Sequence, residues 1–152
     1  MGRWTQRLAE LGIQLPPVAA PVAAYVPAVR TGSLVFTSGQ VPMVDGVLAA
    51  TGKVGAEVSP EAAKEHARTC ALNALAAVDA LVGLDSVVRV VKVVGFVASA
   101  EGFTGQPVVL NGASELLVEL FGDAGRHARS AVGVAELPLD APVEVELVVE
   151  VG

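Results

Sequence analysis

The chain has 152 residues, of which 53% are hydrophobic and 17% charged, and its formal net charge is -6. This length fits one domain around a single core, and the acidic balance makes nucleic acid a poor partner, because phosphate-backbone binding requires several Lys or Arg on successive phosphates. Charges or prolines break every apolar run before the ~20 residues that span a bilayer, so we expect no membrane partner either.

The N-terminal segment is predicted to contain a helix followed by an arm. Residues 4–11 have the periodicity of a short amphipathic helix that ends at Gly12. Leucine and prolines at 15–21 predict an extended apolar arm that lies across the domain or a neighbouring chain. We therefore expect residues 1–21 to form a helix and arm, and residues 22–152 to form the single domain.

A hairpin is predicted to open this domain. Two β-branched runs at 24–30 and 34–38 are joined by Thr31-Gly32-Ser33, which is a hairpin signal. The sequence leaves the second strand at Ser38-Gly39-Gln40. The glycine-containing stretch 41–58 then predicts loops with room for one short strand.

The C-terminal half is predicted to alternate helices with strands. Ser59-Pro60-Glu61 is a helix start with an N-cap, a first-turn proline and an acidic residue near the helix dipole. Small apolar residues recur at helical spacing from there to 82, and Gly83 ends the helix. The other elements are predicted as a strand at 86–98, a helix at 107–121 and strands at 127–135 and 143–151. This pattern predicts an α+β fold with the sheet on one side and the helices on the other.

Composition also bears on compartment and assembly. Cys70 is the only cysteine, which excludes an intramolecular disulfide and favours a reducing cytoplasm. We expect it to be a packed thiol. The mean hydropathy is +0.59, and a monomer does not readily leave large apolar patches in water. We therefore expect a buried subunit interface.

Arg129 is the first candidate for chemistry. It lies with Arg126 and His127 in an acidic chain, and five carboxylates but no further cation follow it. The planar guanidinium matches a carboxylate or phosphate in bidentate fashion, so this region is a candidate anion site. The alternative is an arginine on a strand edge that pairs with one of those carboxylates.

Two further residues are weaker candidates. Glu144 lies on the polar face of the final strand, where a carboxylate near an arginine could orient a water and relay its proton; the alternative is a solvated face shared with Glu146 and Glu150. Tyr25, the only tyrosine, is placed at the head of the first strand, where it either lines a pocket or provides half-buried packing.

Other polar residues support no metal or nucleotide cofactor. His66 and His127 are interpreted as structural, and with Cys70 they make no zinc spacing. The glycines form neither phosphate-binding fingerprint. Asn111-Gly112-Ala113-Ser114, placed at the opening of the second helix, is either a binding turn or plain punctuation.

Several motifs, in order, resemble those of the RidA (YjgF/YER057c/UK114) family, often labelled endoribonuclease L-PSP. The opening is Phe36-Thr37-Ser38-Gly39-Gln40-Val41-Pro42, and the closing hairpin carries R-S-A-V-x-V-A-x-L-P from Arg129 and then V-E-V-E from Val143. Asn73 and Asn111 also stand where the family often has asparagine. The resemblance implies a chorismate-mutase-like α+β fold, with a mixed sheet and two main helices on one face. It also implies a homotrimer with clefts between subunits.

The resemblance further implies hydrolysis of reactive enamines and imines to 2-oxo acids and ammonia, without a cofactor. Carried over by position, Arg129 grips the substrate carboxylate and Glu144 positions the water and passes a proton. Tyr25 and Ser38 line the cleft, and Ala131 replaces a frequent cysteine while keeping its backbone contacts. The absent Gly-Pro before the tyrosine and the longer loop at 43–58 mark a divergent branch.

Two other functions compete with the deaminase. One is a non-catalytic trimer that senses a small carboxylate metabolite, which would also use Arg129 but would tolerate loss of Glu144. The other is the ribonuclease of some family labels. It ranks last because the surface is acidic and no paired His or Lys constellation for phosphodiester cleavage is evident.

Overall fold

A computed structural model describes residues 2–18 and 24–152. Three α-helices and seven strands are found in these ranges. In chain order they are α1 (Arg3–Glu10), β1 (Ala28–Thr31), β2 (Leu34–Thr37), β3 (Met43–Val44), β4 (Val47–Leu48), α2 (Pro60–Val82), β5 (Val87–Ala98), α3 (Gln106–Phe121), β6 (Ala128–Val134) and β7 (Val143–Val151). Short 3-10 turns occupy Leu84–Ser86, Gly122–Gly125 and Pro138–Asp140. No helix within the described ranges has the length and apolarity needed to cross a membrane.

Five strands form one mixed sheet in the order β1-β2-β7-β5-β6. All neighbours are antiparallel except β5 and β6, which run parallel through the connection that contains α3. Alternate β7 residues from Val143 to Val151 are buried, because α2 and α3 cover that face of the sheet. The predicted α+β architecture, with helices on one side, is confirmed.

Small side chains let the helices approach one another and the sheet. Ala63, Ala67, Cys70 and Ala74 are fully buried along α2. A Cβ at Gly112 of α3 would overlap the backbone carbonyl of Lys64, so α2 and α3 cross in backbone contact. The Cys70 thiol is the packed group that the sequence predicted: its Sγ lies 3.7 Å from the Val143 carbonyl oxygen, and burial raises its pKa well above the ordinary value.

The predicted ends of α2 agree with the structure. The Ser59 hydroxyl accepts a hydrogen bond from the Ala62 amide at 3.1 Å, and Pro60 occupies the first turn. Gly83 ends the helix at a φ of 80°, a conformation that glycine adopts without steric cost.

Two predictions in the N-terminal half are wrong in detail. The first strand begins at Ala28 and not at 24, since Pro27 has no amide hydrogen to contribute to a ladder. Tyr25 therefore precedes the strand and is not at its head. The stretch 41–58 contains two short strands and not one. They pair through a tight turn at Asp45-Gly46, whose φ values of 52° and 80° are those of a two-residue hairpin.

The N-terminal helix packs into the main core. Trp4 contacts Phe121 edge-on, with ring centroids 4.9 Å apart, and its Nε1 donates to the Val87 carbonyl at 2.7 Å. Leu8 is buried in the same cluster. The apolar arm that follows is described as far as Val18, and its predicted end at Pro21 falls outside the described residues.

Asp85 caps α1 from a distant part of the chain. Its Oδ1 accepts from the amides of Trp4 and Thr5 at 2.8 and 2.9 Å, and Oδ2 accepts from the Thr5 hydroxyl. The hydrogen bonds from Thr5 are the main reason why the pKa of Asp85 lies below its ordinary value. Helix amides left without such an acceptor would have to be satisfied by water.

We predict that Asp85→Ala lowers the free energy of unfolding by about 1 kcal/mol, the usual effect of losing a helix cap. Because folding depresses this pKa, the stabilisation is present above the ordinary aspartate pKa. It is lost as the pH falls through the folded value. Urea denaturation at several pH values measures both effects, with the exposed Asp123→Ala as control. Equal stability of Asp85→Ala and wild type at neutral pH would contradict the capping role.

The sheet face opposite the helices carries apolar side chains. Pairing between strands places Phe36 beside Val29 and Val148, and the exposed fraction of Phe36 is 44%. We call this surface the open sheet face. It comprises Val29, Phe36, Val94, Phe96, Val132 and Val148, together with Arg89, Lys92, Glu144, Glu146 and Glu150.

Candidate functional site

Arg129 lies on β6, the edge strand of the sheet, and its side chain turns toward α3. Its Nη1 donates to the Asn111 side-chain oxygen at 2.9 Å and to the Ser114 hydroxyl at 3.1 Å. Asn111 and Ser114 are three residues apart and therefore lie on one face of the helix. The sequence placed them at the opening of this helix, but α3 begins at Gln106, so Asn111 lies in its second turn.

The acceptors around Arg129 are neutral. Within the described ranges, no carboxylate forms an ion pair with Arg129. Among the described residues, the cations that form ion pairs are Arg7, Lys53, Lys64, Arg68 and Arg126. The two hydrogen bonds occupy both Nη1 hydrogens, while Nε and Nη2 have no acceptor among the described residues. In a single chain, therefore, Arg129 is not neutralised by a neighbouring carboxylate, as the alternative interpretation had it. Its guanidinium is half-buried, and the edge formed by Nε and Nη2 is free to bind a ligand in bidentate fashion.

His127 extends this set of hydrogen bonds. Its Nε2 lies 2.8 Å from the Ser114 hydroxyl, and its Nδ1 lies 2.6 Å from the Gly125 carbonyl oxygen. Gly125 is itself confined, because a Cβ there would overlap the Leu117 carbonyl. We call Arg129, Asn111, Ser114 and His127 the arginine pocket.

Glu144 lies on the other face of the sheet. Its neighbours Val143 and Val145 are buried against the helices, and alternation along β7 sends Glu144 to the open sheet face. Its carboxyl group lies over Gly39, where a Cβ would stand 2.7 Å from the Glu144 Cδ. Burial, and secondarily the charge of Glu146, raises the pKa of Glu144 above the ordinary glutamate value.

Ser38 lies at the same end of the sheet as Glu144 and holds the segment that contains Tyr25. Its hydroxyl donates to the Val26 carbonyl at 2.6 Å, and its amide donates to the Pro27 carbonyl at 2.8 Å. The Tyr25 side chain is 53% exposed in a single chain. Ser38 therefore fixes the backbone beside Tyr25, and its own hydroxyl proton is already committed.

Ala131 lies with Arg129 on the helix-facing side of β6. It pairs with Gly95 of β5 and is half-buried against the core. A Cβ at Gly95 would overlap the Leu110 side chain, so α3 packs close to the sheet at this level.

The predicted site residues form two groups in one chain. Arg129 and Ala131 lie on the helix side of the sheet at edge strand β6, whereas Glu144, Ser38 and the Tyr25 segment lie around the beginning of β7. One chain does not bring Arg129 and Glu144 onto the same face. No three His, Cys, Asp or Glu side chains converge in the part of the chain that the structure describes.

Sequence reasoning missed the partnership of Ser114 and His127 with Arg129. Both histidines were interpreted as structural, although His127 and Arg129 are two residues apart and share one side of an extended segment. The spacing of Asn111 and Ser114 on a helix was a second signal. What the sequence could not show is that α3 lies over β6, which places the two pairs in contact.

These features agree with the comparisons with known proteins. The family model described as "YjgF/chorismate_mutase-like, putative endoribonuclease" matches residues 5–151. The chain belongs to the YjgF/RidA family. Its fold is accordingly the chorismate-mutase-like α+β fold that the motifs predicted, and the mixed sheet with helices on one face confirms that architecture.

Three relatives show the range of this family. The protein TCP17 of Trypanosoma cruzi is 46% identical over 151 residues, which cover 98% of this chain and 94% of TCP17. A crystal structure of the protein Atu1372, of unknown function, from Agrobacterium tumefaciens is 45% identical with a TM-score of 0.90, and the match covers 98% of this chain and 92% of that one. The Escherichia coli protein named "Putative reactive intermediate deaminase TdcF" is 32% identical over 129 residues, covering 84% of this chain and 86% of TdcF.

Proposed function

We propose that this protein is an enamine/imine deaminase that hydrolyses reactive, carboxylate-bearing imines to 2-oxo acids and ammonia. The observation that carries the proposal is the Arg129 guanidinium. It is held by the neutral acceptors Asn111 and Ser114, and its Nε and Nη2 have no acceptor among the described residues. A substrate carboxylate is the group that this bidentate edge fits.

The chemistry requires little from the protein because an imine carbon is already electrophilic. Water adds to the C=N carbon, a proton passes from that water to nitrogen, and the resulting carbinolamine expels ammonia as its hydroxyl becomes the ketone. The atoms balance as one imine and one water giving one 2-oxo acid and one ammonia, with no redox step. Glu144 suits the proton relay, because burial raises its pKa above the ordinary glutamate value, the direction in which glutamates that act as general acid–bases are shifted.

Assembly would unite the two groups. Because Arg129 and Glu144 lie on opposite faces of one sheet, a single chain cannot use both on one ligand. We propose a homotrimer in which each cleft between subunits takes Arg129 from one copy and Glu144, Ser38 and Tyr25 from its neighbour. The open sheet face supports this assembly, since the exposed side chains of Val29, Phe36 and Val132 on it favour burial against another copy.

The relatives support the ligand class. TdcF carries the name of a reactive intermediate deaminase. A crystal structure of E. coli TdcF with bound serine is 26% identical to this chain with a TM-score of 0.64, and the match covers 91% of this chain and 94% of TdcF. Serine is a small molecule with one carboxylate, which is the group that we assign to Arg129.

A second function is a non-catalytic sensor of small carboxylate metabolites. The favouring observation is that the arginine pocket is complete without Glu144: the hydrogen bonds that hold Arg129 come from Asn111 and Ser114. Binding would therefore survive where chemistry does not.

The experiment that separates the two functions is ammonia and 2-oxo acid release from a panel of fresh imines. An amino-acid oxidase generates each imine in situ, and the uncatalysed hydrolysis is measured in parallel. We expect the purified protein to accelerate release for at least one imine that bears a carboxylate. If none is accelerated while 2-oxo acids still bind, the sensor replaces the deaminase.

We predict that Arg129→Lys weakens binding of a 2-oxo acid such as pyruvate by about tenfold, because a point charge cannot reproduce bidentate geometry. Isothermal titration calorimetry measures the affinity. The matched control is Arg126→Lys, because the Arg126 side chain is 77% exposed three residues earlier and forms an ion pair with Asp123. Unchanged affinity in Arg129→Lys would remove Arg129 from the site.

A further inference from the structure

The inference concerns His127, which the catalytic scheme above does not use. We propose that His127 is a positioning residue: through the Ser114 hydroxyl it fixes the rotamer of the Arg129 guanidinium and so presents Nε and Nη2 to the carboxylate. This rests on the proposed function for the ligand, but the hydrogen-bonded chain itself is independent of any activity.

The direction of each hydrogen bond follows from the groups involved. Arg129 can only donate, so Ser114 accepts from Nη1 at 3.1 Å. The Gly125 carbonyl can only accept, so His127 Nδ1 carries a hydrogen and donates at 2.6 Å. In a neutral ring Nε2 is then the acceptor, and it takes the Ser114 hydroxyl hydrogen at 2.8 Å. The chain runs from Arg129 through Ser114 and His127 to Gly125.

The hydrogen bond with His127 fixes the orientation of the Ser114 hydroxyl. A serine hydroxyl rotates freely unless both its hydrogen and its lone pairs are engaged. With the hydrogen held by His127, a lone pair of Ser114 is directed at Nη1 of Arg129. Asn111 holds the second Nη1 hydrogen, so the guanidinium plane is set by two acceptors on α3 and the free edge is left for a ligand.

The backbone fixes His127 in turn. The 3-10 turn Gly122–Gly125 follows α3 directly, and Arg126 donates its amide to the Asp123 carbonyl at 3.2 Å. Gly125 packs against Leu117 so closely that any side chain there would overlap it. The Gly125 carbonyl, which accepts the hydrogen bond from His127 Nδ1, is therefore held against α3, the helix that carries Asn111 and Ser114.

A double-mutant cycle tests the chain. The variants are Ser114→Ala, His127→Phe and the double mutant, and the readout is pyruvate affinity by calorimetry on the full-length protein. We expect each single variant to weaken binding by about threefold to tenfold and the double to be no weaker than Ser114→Ala, because both residues act through one hydrogen bond. Ser114→Thr keeps the hydroxyl and should restore most of the affinity. His66→Phe changes the other histidine, which has no hydrogen bond to the arginine pocket, and should leave affinity unchanged.

A second readout needs no ligand. Nitrogen-15 NMR of the wild type should show His127 as the neutral tautomer with its hydrogen on Nδ1, and a slowed rotation of the Arg129 Nη1 group. Ser114→Ala and His127→Phe should both speed that rotation. Melting temperatures show whether each variant is folded, and a variant that fails to fold is replaced by His127→Asn, whose side chain is too short to reach Ser114 in the same geometry.

Three outcomes overturn the proposal. The first is that His127→Phe has the affinity and the Arg129 signals of the wild type, and the second is that the losses in affinity add in the double mutant. The third is that His127 carries its hydrogen on Nε2 and none on Nδ1. If the wild type binds no 2-oxo acid, the proposed function is wrong. The Arg129 and His127 signals then decide this proposal alone.

Discussion

Glu144→Gln is expected to lower imine turnover by about 10²-fold or more while leaving 2-oxo acid binding nearly intact, since a positioned general acid–base typically contributes that much. Glutamine keeps the size of the side chain over Gly39 but cannot exchange a proton. The proposed carboxylate site is Arg129, whose side chain lies on the other face of the sheet. Steady-state kinetics and calorimetry on the same preparation measure the two quantities separately.

The pKa of Glu144 provides an internal check on that result. Folding raises this pKa, so the folded state prefers the protonated acid. The protonated Glu144 side chain therefore contributes stability below the ordinary glutamate pKa, and this contribution is lost as the pH rises through the pKa of the folded state. Glutamine carries no such cost at neutral pH, and the melting temperature of Glu144→Gln should equal or exceed that of the wild type. With that melting temperature, a fall in turnover is not due to unfolding.

The matched control is Glu146→Gln, two residues along the same face of β7. It removes the neighbouring charge that contributes to the raised Glu144 pKa, but it leaves Glu144 in place. We expect turnover close to wild type, with the pH dependence of the rate shifted toward lower pH. Equal losses of turnover in Glu144→Gln and Glu146→Gln would mean that turnover depends on the negative charge of the open sheet face as a whole and that Glu144 has no individual role.

The helices could be predicted well because their signals are local. Ser59, Pro60 and Gly83 define the ends of α2 through caps and backbone preferences that operate within a few residues. The alternation of β7 likewise identified which of its side chains are buried. Each of these features depends on neighbours in sequence, and tertiary contacts reinforce it.

The site could be predicted only in part because it depends on strand pairing. The sequence named Arg129 and Glu144 but could not show that they face opposite ways, because that follows from the order β7-β5-β6 and the parallel pairing of β6. The contact of Ser114 with His127 depends on the same packing. Asp85 at the start of α1 is another example: 80 residues separate it from Thr5, so no local pattern reveals the cap.

Phe36→Asp is expected to dissociate the proposed homotrimer and abolish turnover, with the fold of each chain retained. Phe36 is 44% exposed in one chain, on the open sheet face between Val29 and Val148. An aspartate there is tolerated in water, whereas burying its unpaired charge between copies costs about 3 kcal/mol or more per contact. Light scattering at micromolar concentration should give a mass of three chains for the wild type and one for the variant. The variant should lose activity because Arg129 and Glu144 then have no neighbouring copy to complete a cleft.

The control is Val47→Asp, on the β3–β4 hairpin and 68% exposed. It adds the same charge away from this face and should leave mass and turnover unchanged. A monomeric wild type, or a Phe36→Asp protein that keeps both its mass and its turnover, would show that the open sheet face is not the interface and that the cleft is not shared between copies.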